Sequence, residues 1–156
     1  MFTDISDCQY TTLDGKSVLL RLVEGIGYRF QRAMIGVNDS ALNFAPAEGM
    51  FTIGQQVDHI GKLLETVLAV FQDRPPTYDD TTAEGVVRLL AELHDFIQET
   101  SMERLQQART LEGRSVFFMI NGPMADTLTH IGQINTLKRL AGVDAPNSGY
   151  MYGKEV

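Results

Sequence analysis

The sequence predicts an all-α protein arranged as a four-helix bundle. Three observations carry that expectation. Four long segments repeat apolar residues at steps of three and four, the spacing of one buried helical face. The stretches between them are rich in Gly, Pro, Asn and Asp, which interrupt helices. No segment shows the sustained apolar–polar alternation of a half-buried strand. A chain of 156 residues, 44% of them apolar, is long enough to bury a real core, and one domain spanning 1–156 is expected.

Residues 1–12 lack periodicity and read as a loosely docked arm. The first helix is expected from Asp14 to Met34, with Val18, Leu19, Leu22, Ile26, Arg29/Phe30 and Ala33 on the helical step. Gly25 and Gly27 inside it each cost about 1 kcal/mol against Ala, which predicts either a kink or a second helix passing close by. Arg29 and Arg32 are expected on its solvated side. Residues 36–50 hold turn formers and Pro46, so they read as a loop with room for one short turn.

The second helix is expected from Thr52 to Gln72. Thr52 and Gln55 have the spacing of a capping box. Ile53, Val57, Ile60, Leu64, Leu68 and Phe71 form its apolar stripe, and Arg74-Pro75-Pro76 ends it. The third helix is expected from Thr82 to Arg109, with Val86, Val87, Leu90, Leu93, His94, Ile97 and Met102/Leu105 on the helical step. Residues 115–120, SVFFMI, have no partner strand in view and are expected to pack on the bundle as helix or extended chain.

The fourth helix, Gly122 to Gly142, organises the rest. Pro123 suits a first helical position, and Gly142 suits the residue just past the end. Lys138 and Arg139 oppose the dipole in the last turn. Leu128, Ile131, Ile134, Leu137, Leu140 and Ala141 make the buried stripe. The longer connections after helices one and two leave room for crossovers, so a simple up-down-up-down order does not follow. Pro146 stops any continuation, and Tyr150 and Tyr152 in the tail are expected to dock on the bundle.

Asp126 and His130 stand four apart on the fourth helix, so a carboxylate and an imidazole share one face. His59 borders the apolar stripe of the second helix. Bundles build metal sites from inward side chains on facing helices, and two imidazoles with one carboxylate leave open positions on an ion. Such a donor set suits zinc, nickel, iron or manganese, and spacing does not choose among them. The plainer reading stands beside it: histidines hydrogen-bonded at the core's edge, and Asp126 as a first-turn carboxylate favoured by the helix dipole. His94, flanked by Glu92 and Asp95, reads as a solvated helix edge.

Charge and composition narrow the partners. A net charge of −7 without any cluster of Lys and Arg argues against nucleic acid. The single cysteine, Cys8, forbids an internal disulfide and has no basic neighbour to activate its thiol. No N-terminal signal and no apolar run of membrane-spanning length is present, so a cytoplasmic protein with no membrane association is expected.

Two stretches resemble a known family. Leu128-Thr129-His130-Ile131-Gly132-Gln133, followed by Leu137 to Gly142, is similar to the fourth-helix signature of the DinB-like metalloprotein superfamily. Thr52-Ile53-Gly54 to Asp58-His59-Ile60 is similar to that family's second helix with its ligand histidine. The resemblance implies a four-helix bundle, a homodimer, and a divalent metal held by three histidines. The family's second-helix histidine falls on His59, and the last histidine of its HxxxH pair falls on His130. The first of that pair falls on Asp126, where this chain departs from the pattern. The implied activity is metal-assisted activation of water or a low-molecular-weight thiol on a small-molecule substrate, with zinc or nickel the leading ions and manganese or iron behind them. Gln133 is then placed to orient a ligand or to hold helix packing. The competing expectation is a metal-free bundle that binds a small molecule or a protein in the same cleft.

Overall fold

The computed structural model describes residues 2–6 and 8–144. Its regular structure is helical: α1 (Gly15–Met34), α2 (Asp39–Leu42), α3 (Ile53–Gln72), α4 (Ala83–Glu99), α5 (Met102–Gln107), α6 (Val116–Met119) and α7 (Ala125–Leu140). Among the described residues there is no strand beyond one isolated bridge between Arg109 and Ser115. The all-α expectation holds. Tyr150 and Tyr152 lie outside the described residues.

Local chemistry sets the helix ends. Asp14 accepts from the Ser17 amide while the Ser17 side chain accepts from the Asp14 amide, so both orphan donors at the start of α1 are satisfied. Thr52 and Gln55 form the same reciprocal pair at the start of α3, as their spacing predicts. The chain leaves α3 through Asp73 in the left-handed region (φ 55°). It leaves α7 through Gly142 (φ 76°), and the Val143 amide turns back to the Lys138 carbonyl at 3.0 Å.

Two helix boundaries differ from the expectation. The single third helix is two helices. Thr100 is extended (φ −86°, ψ 142°), and the Ser101 hydroxyl accepts from the Arg104 amide to start α5 afresh. The fourth helix does not begin at Pro123. Helix starts at Val116 and widens over Ile120–Met124 into a π-helical turn that contains Pro123. The Ala125 amide reaches the Ile120 carbonyl five residues back, a wider ring that lets the axis pass a proline without ending.

The four long helices pack in a ring: α1 against α4 and α7, and α3 against α4 and α7. Lys16 bonds Gln98 and Glu24 lies beside His94, so α1 and α4 are antiparallel. Gln56 bonds His130 and His59 lies beside Asp126, so α3 and α7 are antiparallel as well. Between α3 and α4 the chain doubles back along α3. Arg74 and the Thr77 amide both bond the buried Glu65 carboxylate, and the Tyr78 ring covers Gly61. That return makes α4 parallel to α3, one of the crossovers that the longer connections allow.

The core is apolar and continuous, with Ile26, Phe30, Ile60, Leu64, Leu90, Leu93 and Ile134 fully buried. Several edges depart from the pattern. Arg32 is buried rather than solvated, its guanidinium 5.6 Å from the Tyr28 ring centre. Val18 and Leu140 are exposed, so the α1 and α7 stripes each lose one expected member, while Ala141 still packs against the core. Lys138 is fully buried and donates to the carbonyls of Ala33 and Ile35, tying the ends of α7 and α1 together. Its burial, with Arg32 nearby, holds its ammonium below the usual lysine range.

The arm is docked, not loose. Phe2 is 1% exposed and lies on Gly27, where a Cβ would come within 2.4 Å of the ring. Gly27 is therefore a seat for the arm's aromatic ring and not a contact between helices. Arg21 holds the arm at the Ile5 carbonyl, and Tyr10 donates to Glu24 at 2.5 Å. No described helix is long and apolar enough to cross a membrane.

Candidate metal centre

α3 and α7 cross with His59 on one and Asp126 and His130 on the other. One turn separates Asp126 from His130, so both project from the same face of α7 toward α3. One donor atom from each of His59, Asp126 and His130 lies within 4.8 Å of the others. Asp126 Oδ2 stands 3.6 Å from His130 Nε2 and 3.8 Å from His59 Nε2. Both separations exceed a hydrogen bond, so the three groups converge without satisfying one another. The imidazoles meet edge to face with centroids 4.5 Å apart.

The surroundings orient the donors. The Gln56 side-chain oxygen takes a hydrogen bond from His130 Nδ1, which leaves Nε2 as the ring nitrogen that faces Asp126. Gln56 is 5% exposed, so the bond is shielded from water. The Phe51 ring stands edge-on to His59 with centroids 6.2 Å apart. His130 is nearly enclosed, with 14% of its side chain exposed, whereas His59 (37%) and Asp126 (48%) open outward. The centre is thus anchored on its inner side and accessible on its outer side.

The donor set fits a first-row divalent ion. Zinc takes imidazole nitrogen and carboxylate oxygen at about 2.0–2.2 Å, which in a tetrahedron sets donors about 3.3–3.6 Å apart. The two carboxylate–imidazole separations are at or just beyond that spacing, within the reach of side-chain adjustment. Three protein donors leave at least one position for water or substrate.

A family model described as the DinB superfamily matches residues 22–136. That span holds α3, α4 and all three donors. The chain belongs to the DinB superfamily. Neither the curated proteins nor the solved structures contain a match to it. Within this DinB superfamily chain, all three positions singled out from the sequence are brought together in space.

Two further residues at the centre were not singled out in the sequence. Gln56 was legible in principle, since it lies three before His59 and shares its face of α3. Phe51 precedes the helix, and nothing local marks it. Gln133 is exposed on α7 and does not hold helix packing.

His94 belongs to a separate cluster and is not a solvated edge. Only 13% of its side chain is exposed, with Nε2 3.5 Å from Glu24 and 3.4 Å from the Tyr10 hydroxyl. Burial and the Glu24 hydrogen bond keep the Tyr10 phenol protonated well above its usual range. This cluster holds the arm against α1 and α4. Cys8 is exposed on that arm.

Proposed function

We propose that this DinB superfamily protein holds one divalent metal ion at His59, Asp126 and His130 and uses it on a small-molecule substrate. The observation that carries the reading is the convergence of two imidazoles and a carboxylate that do not hydrogen-bond one another, with His130 oriented by a buried amide. When bound, a first-row ion supplies Lewis acidity and lowers the pKa of a coordinated water or low-molecular-weight thiol, the chemistry of a hydrolase or a thiol S-transferase. His130, held by Gln56, fixes the inner corner of the site. His59 and Asp126 face solvent, so substrate approaches from their side. Asp126 brings a negative charge where an imidazole would be neutral, which favours ions harder than those of an all-histidine site. Zinc and nickel remain the leading ions, with manganese and iron behind them.

The same reading includes a homodimer, supported by the family resemblance and by the prevalence of twofold assemblies. It also includes a cytoplasmic location, supported by one cysteine and no disulfide.

Elemental analysis of protein purified without a chelating tag tests the metal. The expected result is close to one ion per chain. Protein that arrives metal-free and whose melting temperature ignores added zinc, nickel and manganese would return the cleft to a metal-free binding role. Light scattering at micromolar concentration tests the dimer, and a monomer mass would remove that part alone.

A further inference from the structure

Asp126, Thr129, Gln133, Thr136 and Leu140 follow one another at steps of three and four, so they form one line along α7. The line begins at a proposed metal donor and runs away from it beside a groove of about 560 Å³ between α7 and the 46–51 loop. That volume is in the range of small-molecule sites. Met50, Phe51, Leu137 and Leu140 supply its apolar wall. Gln56, Thr129, Gln133 and Thr136 supply amides and hydroxyls. No charged side chain lines it among the described residues, in a chain whose net charge is −7. A side chain at Gly132 would meet nothing within 4 Å, so the floor is open to a ligand.

The groove adjoins the metal centre at the start of α3. Gln56 lines it while bonding His130, and Phe51 lines it while packing on His59. A second cavity, near Thr66, Arg74 and Arg109, has no such link. Its nearest α3 residue, Thr66, is about 10 Å along the helix from His59.

We propose that this groove is the substrate subsite, and that it takes an uncharged acyl or alkyl chain of medium length whose polar head lies at the metal donors. Met50, Phe51 and Leu140 are each about half exposed, so the chain would cover apolar surface that the fold leaves in water. A charge on the far end of the chain would lose its hydration among Met50, Leu137 and Leu140 with no partner to replace it. The inference depends on the proposed metal only for the position of the reacting end; the groove itself is read without it.

Calorimetric titration of the full-length protein with a neutral amide series tests the groove. Each methylene that leaves water tightens binding by about three- to fourfold when fully buried. In this half-open groove octanamide is expected to bind at least about thirtyfold more tightly than acetamide. The monoamide of octanedioic acid, with a carboxylate at the far end, is expected to bind at least about tenfold more weakly than octanamide. Gln133→Glu, at an exposed position within reach of a chain whose head lies at the donors, is expected to remove most of the chain-length dependence, with folding checked by circular dichroism. Thr136→Glu, also exposed in the groove, is a second variant with the same expectation. Equal affinity for acetamide and octanamide, or equal affinity for octanamide and its charged analogue, overturns the proposal. So does a Leu140→Glu variant that turns a dimer into a monomer while the parent ignores octanamide, since a second copy then covers the groove. Thr136→Glu separates the two readings: it lines the groove without being a metal donor, so it is expected to keep the parent's metal-induced melting shift while losing the chain-length dependence.

Discussion

The buried side chain of Gln56 accepts a hydrogen bond from Nδ1 of His130, 74 residues away, and so decides which nitrogen of that imidazole faces Asp126. Loss of such an outer partner lowers metal affinity by about 10–100-fold. Gln56→Ala is therefore expected to weaken metal binding by that factor, read by competition with a chelator. Gln56→Glu, which still accepts the bond, is expected to retain affinity. An unchanged affinity in Gln56→Ala would show that His130 does not depend on this bond.

If Asp126 is a donor as proposed, its carboxylate sets the preference among metals. Asp126→His restores the imidazole set that the family resemblance implies and is expected to tighten zinc or nickel binding relative to manganese. Asp126→Ala is expected to weaken every metal, by more than the about 10–100-fold that follows loss of an outer partner. His59→Ala and His130→Ala are expected to weaken binding more severely still. Helix runs unbroken from Val116 through Ala125, so Asp126 meets no free helix end, and a replacement by Ala that leaves metal titrations unchanged would remove it from the donor set.

Gly27 and Phe2 make a coupled pair. A Cβ at Gly27 would lie 2.4 Å from one Phe2 ring carbon and 2.5 Å from another, so the ring must move. Gly27→Ala is expected to destabilise the protein by about 1–3 kcal/mol. In a Phe2→Ala background the same change is expected to stabilise α1 by up to about 1 kcal/mol, because Ala is the better helix former. A double-mutant cycle in urea checks the reversal of sign. Identical effects in both backgrounds would mean that the arm does not rest on Gly27.

The Glu65–Arg74 pair makes stability depend on acid. Burial alone would raise the Glu65 carboxyl, but the Arg74 guanidinium and the Thr77 amide outweigh it and hold the group below its usual value of 4.5. A carboxyl depressed in the folded state contributes stability that is complete above the unfolded value and is lost as pH falls through the folded one. Glu65→Gln is expected to lower the urea midpoint at pH 7, with the gap to the parent closing below about pH 4.5 as the parent loses the same charge. A gap that stays constant down to pH 3 would show that the charge is not what matters there.

The sequence by itself determined what is local. Apolar steps marked the four long helical stretches, and Thr52 with Gln55 marked the start of α3. Gly142 marked the end of α7 because few other residues accept a positive φ there. The four-residue spacing placed Asp126 and His130 on one face, since a helix returns to the same side every turn. Tertiary structure decided everything that depends on which faces meet. It brought His59 to that face through the antiparallel pairing of α3 and α7, and it set Gln56 behind His130. It filled the space over Gly27 with Phe2, buried His94 beneath the arm, and left Leu140 in water at the end of α7. It also carried the helix through Pro123 by widening one turn. Periodicity states which side chains share a face. What that face meets follows from how the crossovers return the chain and from the burial of distant apolar surface, neither of which is encoded in the spacing of neighbouring residues.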